Sequence, residues 1–118
     1  MATYTQCAIL PKRTKEALIR SPRVPNISKT LRDIMLRYAG NKESTFALLV
    51  RHMQRKMLSG HTSKVQEEMC KTTISSDPDL YRKFVETAHL FDQSYDFLLK
   101  VAVEDFLINE VTTHHLGA

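Results

Sequence analysis

The apolar residues in the first half of the chain recur at helical spacing. Between residues 28 and 39 they are three or four positions apart, which places on one helix face Leu31, Ile34, Met35 and Tyr38. Ser28 is a good N-cap, and Gly40 is typical of a helix C-terminus. The pattern therefore predicts a first helix from Ser28 to Tyr38 or Ala39.

A second helix is predicted from about Ser44 to just before Gly60. Its apolar stripe consists of Phe46, Leu49, Val50, Met53 and Met57. Basic side chains lie away from that stripe, with Arg51 and Arg55 four residues apart and His52 and Lys56 spaced in the same way. Because a surface helix normally turns its apolar stripe toward the core, we expect the stripe to be buried and the basic face to be outside.

A third helix is predicted over roughly residues 64–73, with Val65 and Met69 pointing inward and Lys64 and Lys71 pointing out. Hydroxyl and β-branched residues at 72–76 compete with helical structure and end it.

A new helix is predicted after Asp77 and Pro78, an N-cap followed by proline at the first helical position. Residues 79–111 then contain no Gly or Pro. One continuous helix of that length would span about 50 Å, which is longer than a domain of this size. We therefore expect it either to break near Ser94 or to project onto another protein.

The predicted organisation is all-α: a three-helix bundle with an extended basic N-terminal arm and a long C-terminal helix. The arm covers residues 1–26 and contains Pro11, Pro22 and Pro25, with one short helical turn around residues 12–20. The helical domain covers residues 27–111, and a polar tail covers residues 112–118. No apolar run reaches the roughly 20 residues of a membrane-spanning helix.

The charge of the chain is divided between its two parts. Residues 1–76 carry fourteen Lys and Arg against five carboxylates, and residues 77–118 carry three against eight, which gives net charges of +9 and −5. The basic part is expected to bind an acidic partner. Its candidate contact residues are Arg32, Arg37, Arg51, Arg55, Lys56, Lys64 and Lys71.

The remaining reactive groups do not form a recognisable catalytic pattern. The five His residues lack the spacing of metal ligands, and the two Cys residues are far apart without a Cys-x-x-Cys pair. No Ser, His and Asp can be joined into a triad from their order in the chain. We therefore expect a protein that is not an enzyme and binds no metal.

The stretch from about Thr30 to Phe106 contains Leu31-Arg32-Asp33-Ile34, Lys64-Val65-Gln66-Glu67, Lys71 and Asp77-Pro78, followed by a long last helix. In these residues the chain resembles the LYR family of small mitochondrial helical proteins, an all-α LYR-like three-helix bundle, and within that family the accessory subunits of respiratory complex I. The signature itself falls on Ile34-Met35-Leu36 or on Leu36-Arg37-Tyr38, and neither spells Leu-Tyr-Arg. The literal Leu80-Tyr81-Arg82 lies outside the family's motif position.

The resemblance implies a mitochondrial acyl carrier protein as partner, whose acidic helix would meet the basic surface. No cofactor would be bound directly, but the partner's acyl-phosphopantetheine would place its chain between the three helices. The residues lining that channel would be Ile34, Met35, Leu49, Met53, Val65 and Met69. From composition alone, the same six residues also fit an ordinary helix-bundle core.

The resemblance further implies a non-catalytic scaffold subunit on the matrix side of the mitochondrial inner membrane, in the peripheral arm of complex I. Neighbouring subunits would contact the N-terminal arm and the long last helix. Two alternatives stay open: an LYR-type subunit or assembly factor of ATP synthase, the mitoribosome or another respiratory complex, and a small basic nucleic-acid-binding protein. Nucleic acid is not the expected partner, because the aromatic residues lie mostly on apolar stripes.

Overall fold

The computed structural model of the protein describes residues 4–22, 24–59 and 68–116. Within these residues, two strands and five helices follow one another along the chain. Their bounds are β1 Tyr4–Pro11, α1 Lys12–Arg20, α2 Ile27–Tyr38, α3 Lys42–Ser59, β2 Met69–Ser76, α4 Pro78–Leu90 and α5 Tyr95–Leu116.

The prediction of an all-α three-helix bundle is wrong, because β1 and β2 form a two-stranded antiparallel sheet. The pairing runs from Tyr4 opposite Ser76 to Pro11 opposite Met69. The expected basic arm is thus a strand followed by helix α1. Residues 69–73, expected at the end of the third helix, lie in β2, where β-branched side chains such as Ile74 suit a pleated surface. The rest of that predicted helix, residues 64–67, lies outside the described residues.

The sheet has one buried face, and helix side chains cover parts of both edges. The buried positions alternate along each strand up to Pro11, which ends β1 and is also buried; the alternating positions are Gln6, Ala8, Leu10, Thr72, Ile74 and Ser76. On the edge of β1, the Ile9 N–H donates to an Asp96 carboxylate oxygen at 3.1 Å. On the edge of β2, the Ser75 N–H donates to the Ser28 hydroxyl, and its carbonyl accepts from Arg32. These contacts occupy backbone groups that would otherwise be open to another strand.

Helix α5 is the centre of the core. It contacts β1 and all four other helices, and its fully buried side chains include Leu98, Leu99 and Val103. A helix that is apolar on most faces is normally covered on most faces, and α5 follows that rule. No helix among the described residues is both long and apolar enough to cross a membrane.

Local signals placed several helix ends correctly. Asp77 caps α4 by accepting from the Asp79 N–H, and proline occupies the first turn. Residues 91–94 interrupt the long final segment, with Asp92 at a φ of +57°, so the predicted break is confirmed. Gly40 follows α2 with a φ of +72°, a conformation that costs glycine little. The N-cap of α2 is Asn26 rather than Ser28, since the Asn26 side chain accepts from the Lys29 N–H.

Candidate docking surface

Helix α3 turns an apolar stripe toward solvent. Phe46 is 61% exposed, Met53 is 62% exposed and Met57 is 79% exposed. These three residues and half-buried Val50, spaced by four, three and four positions, are called the α3 outer face below. The prediction that this stripe is buried is wrong, because α3 packs on α5 and α2 through its other side.

The side of α3 that packs on the core carries several polar and basic groups. Thr45 and Leu48 are fully buried there, and half-buried His52 lies beside them. The Thr45 hydroxyl donates to the Asn41 carbonyl at 2.8 Å, which satisfies it within the first turn. This side is called the α3 inner face.

Two arginines of the inner face bind one buried carboxylate of α5. Asp105 is 1% exposed, and its two oxygens accept from Arg51 Nε and Nη2, each at 3.0 Å. Arg55 Nη2 donates to the same carboxylate at 2.7 Å. The Asn109 amide donates at 3.2 Å. Such charge-assisted, bidentate pairs are among the stronger polar contacts in proteins.

Asp105 and its arginine partners are ionised. Burial alone would raise the pKa of Asp105, but the hydrogen bonds from Arg51 and Arg55 outweigh it and hold the pKa below its ordinary value. The hydrogen bond to Asp105 raises the pKa of Arg51. Asp105 is therefore a carboxylate at neutral pH, and both arginines are charged.

His52 is held neutral on the inner face. Its ring meets the Phe97 ring edge-on, with centroids 5.6 Å apart and planes at 86°. Its Nε2 atom is buried without a hydrogen-bond partner. Burial lowers the pKa of His52, and the nearby charges of Lys56, Lys100 and Arg55 lower it further. The charged imidazolium is disfavoured because it would be poorly solvated at this site and would be repelled by these three cations.

The buried carboxylate explains the orientation of α3. A buried Asp105 without cations would cost several kcal/mol. Exposing a large apolar side chain forgoes about 1.5–3 kcal/mol of burial. The free energy gained by turning the arginines toward Asp105 is therefore similar in size to the free energy lost by leaving Met53 and Met57 exposed. A partner that covered the exposed stripe would bury this apolar surface.

The structure does not unite the predicted basic residues in one surface. Arg32 donates to the Ser75 carbonyl at 3.2 Å, and Lys71 is exposed on β2, where its carbonyl accepts from Lys15 Nζ. Arg51 and Arg55 bind Asp105 instead of facing a partner. Exposed Arg37 and Lys56 lie on α2 and α3. Lys64 lies outside the described residues.

The residues predicted to line an acyl channel do not lie together either. Ile34 and Met35 are buried in the core, and Leu49 is half-buried against it. Met53 is exposed on α3 and Met69 is 48% exposed on β2, so neither lines an interior space. Val65 lies outside the described residues.

Residues from α4 extend the α3 outer face beyond the sequence prediction. The Phe91 ring lies 6.5 Å from the Phe46 ring between centroids, and neighbouring Leu90 is 60% exposed. The sequence pattern placed both residues in the long helical segment of residues 79–111 and gave them no role in binding. The one available signal was their position at the end of α4, directly before the break.

Charged and polar residues border the stripe unequally. With 3.6 residues per turn, the exposed Lys42 and Lys56 follow one edge of the stripe, and Glu43 and Gln54 follow the other. One edge is therefore cationic. Among the described residues, no group of three or more His, Cys, Asp or Glu side chains could hold a metal ion.

These features describe an apolar helix face with one cationic edge. Protein-family models, curated proteins and solved structures were all compared with the chain, and none of them matches it.

Proposed function

We propose that the protein is a non-catalytic interaction module whose α3 outer face binds an amphipathic helix of an acidic partner protein. The observation that carries this proposal is the exposure of Phe46, Met53 and Met57 at helical spacing. Soluble proteins rarely expose contiguous large apolar side chains unless the patch binds something.

The spacing supports a helix as the bound element. Intervals of four, three and four place Phe46, Val50, Met53 and Met57 along a narrow seam, the arrangement used by helices that pack side by side. A partner helix would pack its own apolar residues, spaced at three- and four-residue intervals, against this seam. Methionine suits such a surface because its unbranched side chain adapts to the shape of a partner.

The charges support an acidic partner. Lys42 and Lys56 border the seam, and residues 1–76 carry a net charge of +9. Carboxylates on the partner would pair with the lysine edge and speed association. An antiparallel two-fold pair of this chain fits less well, because it would set this lysine edge against the same edge of the other copy.

The sequence resemblance names one partner of this chemistry. An acyl carrier protein would present an acidic helix, and its acyl-phosphopantetheine would have to lie along the α3 outer face, since Met53 and Met69, two of the residues predicted to line a channel, are exposed on different elements. Membership of complex I, of another respiratory complex, of ATP synthase or of the mitoribosome stays a prediction, as does the matrix location. The nucleic-acid alternative has weaker support, since Arg51 and Arg55 bind Asp105.

Photo-crosslinking tests the proposal directly. A benzophenone amino acid placed at Met53 in the full chain, in cells of the source organism, should crosslink to an acidic amphipathic helix of another protein, identified by mass spectrometry. The same amino acid at Met69, also exposed but on β2, is the matched control. A crosslink from position 53 only to a second copy or to nucleic acid, or a result equal to position 69, would contradict the proposal.

The carrier protein needs a separate measurement. We expect purified holo acyl carrier protein to bind the chain in calorimetry, with binding at least tenfold weaker for Met53→Asp and unchanged for Met69→Asp. If the unaltered chain does not bind it, the carrier protein is not the acidic partner.

A further inference from the structure

A small pocket opens on the other side of α3, between α2, α3 and α5. Its volume is about 220 Å³. The residues that line it are Arg37, Tyr38, Ser44, Ala47, Arg51, Asp105 and Asn109. The pocket is separate from the α3 outer face, so a ligand bound in it would be independent of the proposed function.

The carboxylate in the pocket has no remaining acceptor capacity. One oxygen of Asp105 accepts from Arg51 and Arg55, and the other accepts from Arg51 and Asn109. A carboxylate offers about four acceptor positions, so all of them are used. Asp105 therefore holds the arginines in place without competing for a further donor.

The local charge is in excess on the positive side. Arg37, Arg51 and Arg55 carry three positive charges against the single negative charge of Asp105. The Tyr38 hydroxyl does not reduce this excess, because burial, and then the charge of Asp105, raise its pKa. The charged residues that line the pocket thus sum to +1, and Arg55 on the same carboxylate raises the sum to +2.

We infer that this pocket binds a phosphate monoester or inorganic phosphate. A phosphate monoester carries a charge of about −1.5 to −2 at neutral pH, which is opposite in sign to the local excess. Guanidinium groups bind phosphate oxygens with paired N–H donors, and Arg37 and Arg51 line the pocket. Ser44, in the first turn of α3, adds a hydroxyl close to the positive end of the helix dipole.

One of the two guanidinium groups of the pocket is fixed in advance. Arg51 is held by two hydrogen bonds to a carboxylate that is 1% exposed, so its guanidinium is oriented before any ligand arrives. Orientation in advance reduces the entropy lost on binding. Arg37 is exposed and supplies the second guanidinium from α2.

The test is a titration of the ¹⁵N-labelled full chain, followed by NMR at constant ionic strength set with chloride. The probes are inorganic phosphate, O-phosphoserine and acetate. We expect saturable shifts at the amides of Ser44 and Ala47 with both phosphates, and at least tenfold weaker binding of acetate. Tighter binding of phosphoserine would identify a phosphorylated side chain as the source, and equal binding would identify free phosphate.

Two variants make the result specific. Arg37→Gln should weaken phosphate binding at least tenfold, because it removes one guanidinium without touching the pair with Asp105. Arg20→Gln, at an exposed arginine at the end of α1, should leave affinity within twofold. Shifts that never saturate, acetate binding as strong as phosphate binding, or an equal loss in both variants would overturn the inference.

Discussion

The two faces of α3 differ in the opposite sense from most surface helices. The inner face carries Arg51, His52 and Arg55 against the core, whereas the outer face carries Phe46 and Met57 in solvent. Apolar periodicity therefore located a stripe but not the direction in which it points. That direction depends on what the rest of the core presents, and here α5 presents a buried carboxylate.

The largest expected effect comes from removing that carboxylate. Asp105→Asn should lower the free energy of unfolding by about 3 kcal/mol in urea denaturation, because it leaves two partly buried guanidinium groups without a counterion. The matched control is Asp79→Asn, whose partner Arg82 and own side chain are both exposed, and which should cost less than about 1 kcal/mol. Equal effects of the two variants would show that the inner ion cluster adds no stability.

Acid should remove the same contribution. The folded pKa of Asp105 is below its ordinary value of about 3.9, so the carboxylate stabilises the fold above that pH, and the stabilisation is lost as the pH falls through the folded pKa. Asp105→Asn should therefore show a weaker loss of stability below pH 4 than the unaltered chain.

A pair of truncations compares the two faces with nearly the same chemistry. Leu48→Ala on the inner face should lower the free energy of unfolding by about 3 kcal/mol, since Leu48 is fully buried and its loss leaves a cavity. Met53→Ala on the outer face should change it by less than about 0.5 kcal/mol. The reverse order, measured by the same denaturation experiment, would mean that α3 is rotated relative to its described position.

The smallest effect concerns His52 and pH. Its folded pKa is lowered, so its neutral form stabilises the fold above the unfolded pKa of about 6.5, and this is lost as the pH falls. His52→Gln should flatten the fall in stability between pH 7.5 and 5. A slope equal to that of the unaltered chain would mean that His52 is not held neutral by its site.

Local signals in the sequence were sufficient for much of the helical structure. Asp77-Pro78, Gly40 and the break near Ser94 act through neighbouring backbone groups, and each appears where it was expected. The strands were missed because their pairing joins residues more than 55 positions apart, as in Pro11 with Met69. The β-branched residues at 72–76 gave a signal, but it was interpreted only as the end of a helix.

The candidate site was harder to predict because it depends on one long-range contact. Asp105 lies in the most apolar stretch of the chain, and its link to Arg51 crosses 54 positions. Because that contact is not visible in the sequence, the pattern predicts that the two arginines bind a partner protein. The same pattern predicts that Met53 and Met57, which are exposed, are buried in the core.

Methionine oxidation tests the reversed orientation of α3 most directly. The full chain, shown to be monomeric by size-exclusion chromatography, is treated with dilute hydrogen peroxide, and each sulfoxide is followed by peptide mass spectrometry. Met53 and Met57, 62% and 79% exposed, should oxidise nearly as fast as in the urea-unfolded chain, and fully buried Met35 should be at least tenfold slower. Protection of Met53 and Met57 equal to that of Met35 would contradict the exposed stripe and the function proposed from it.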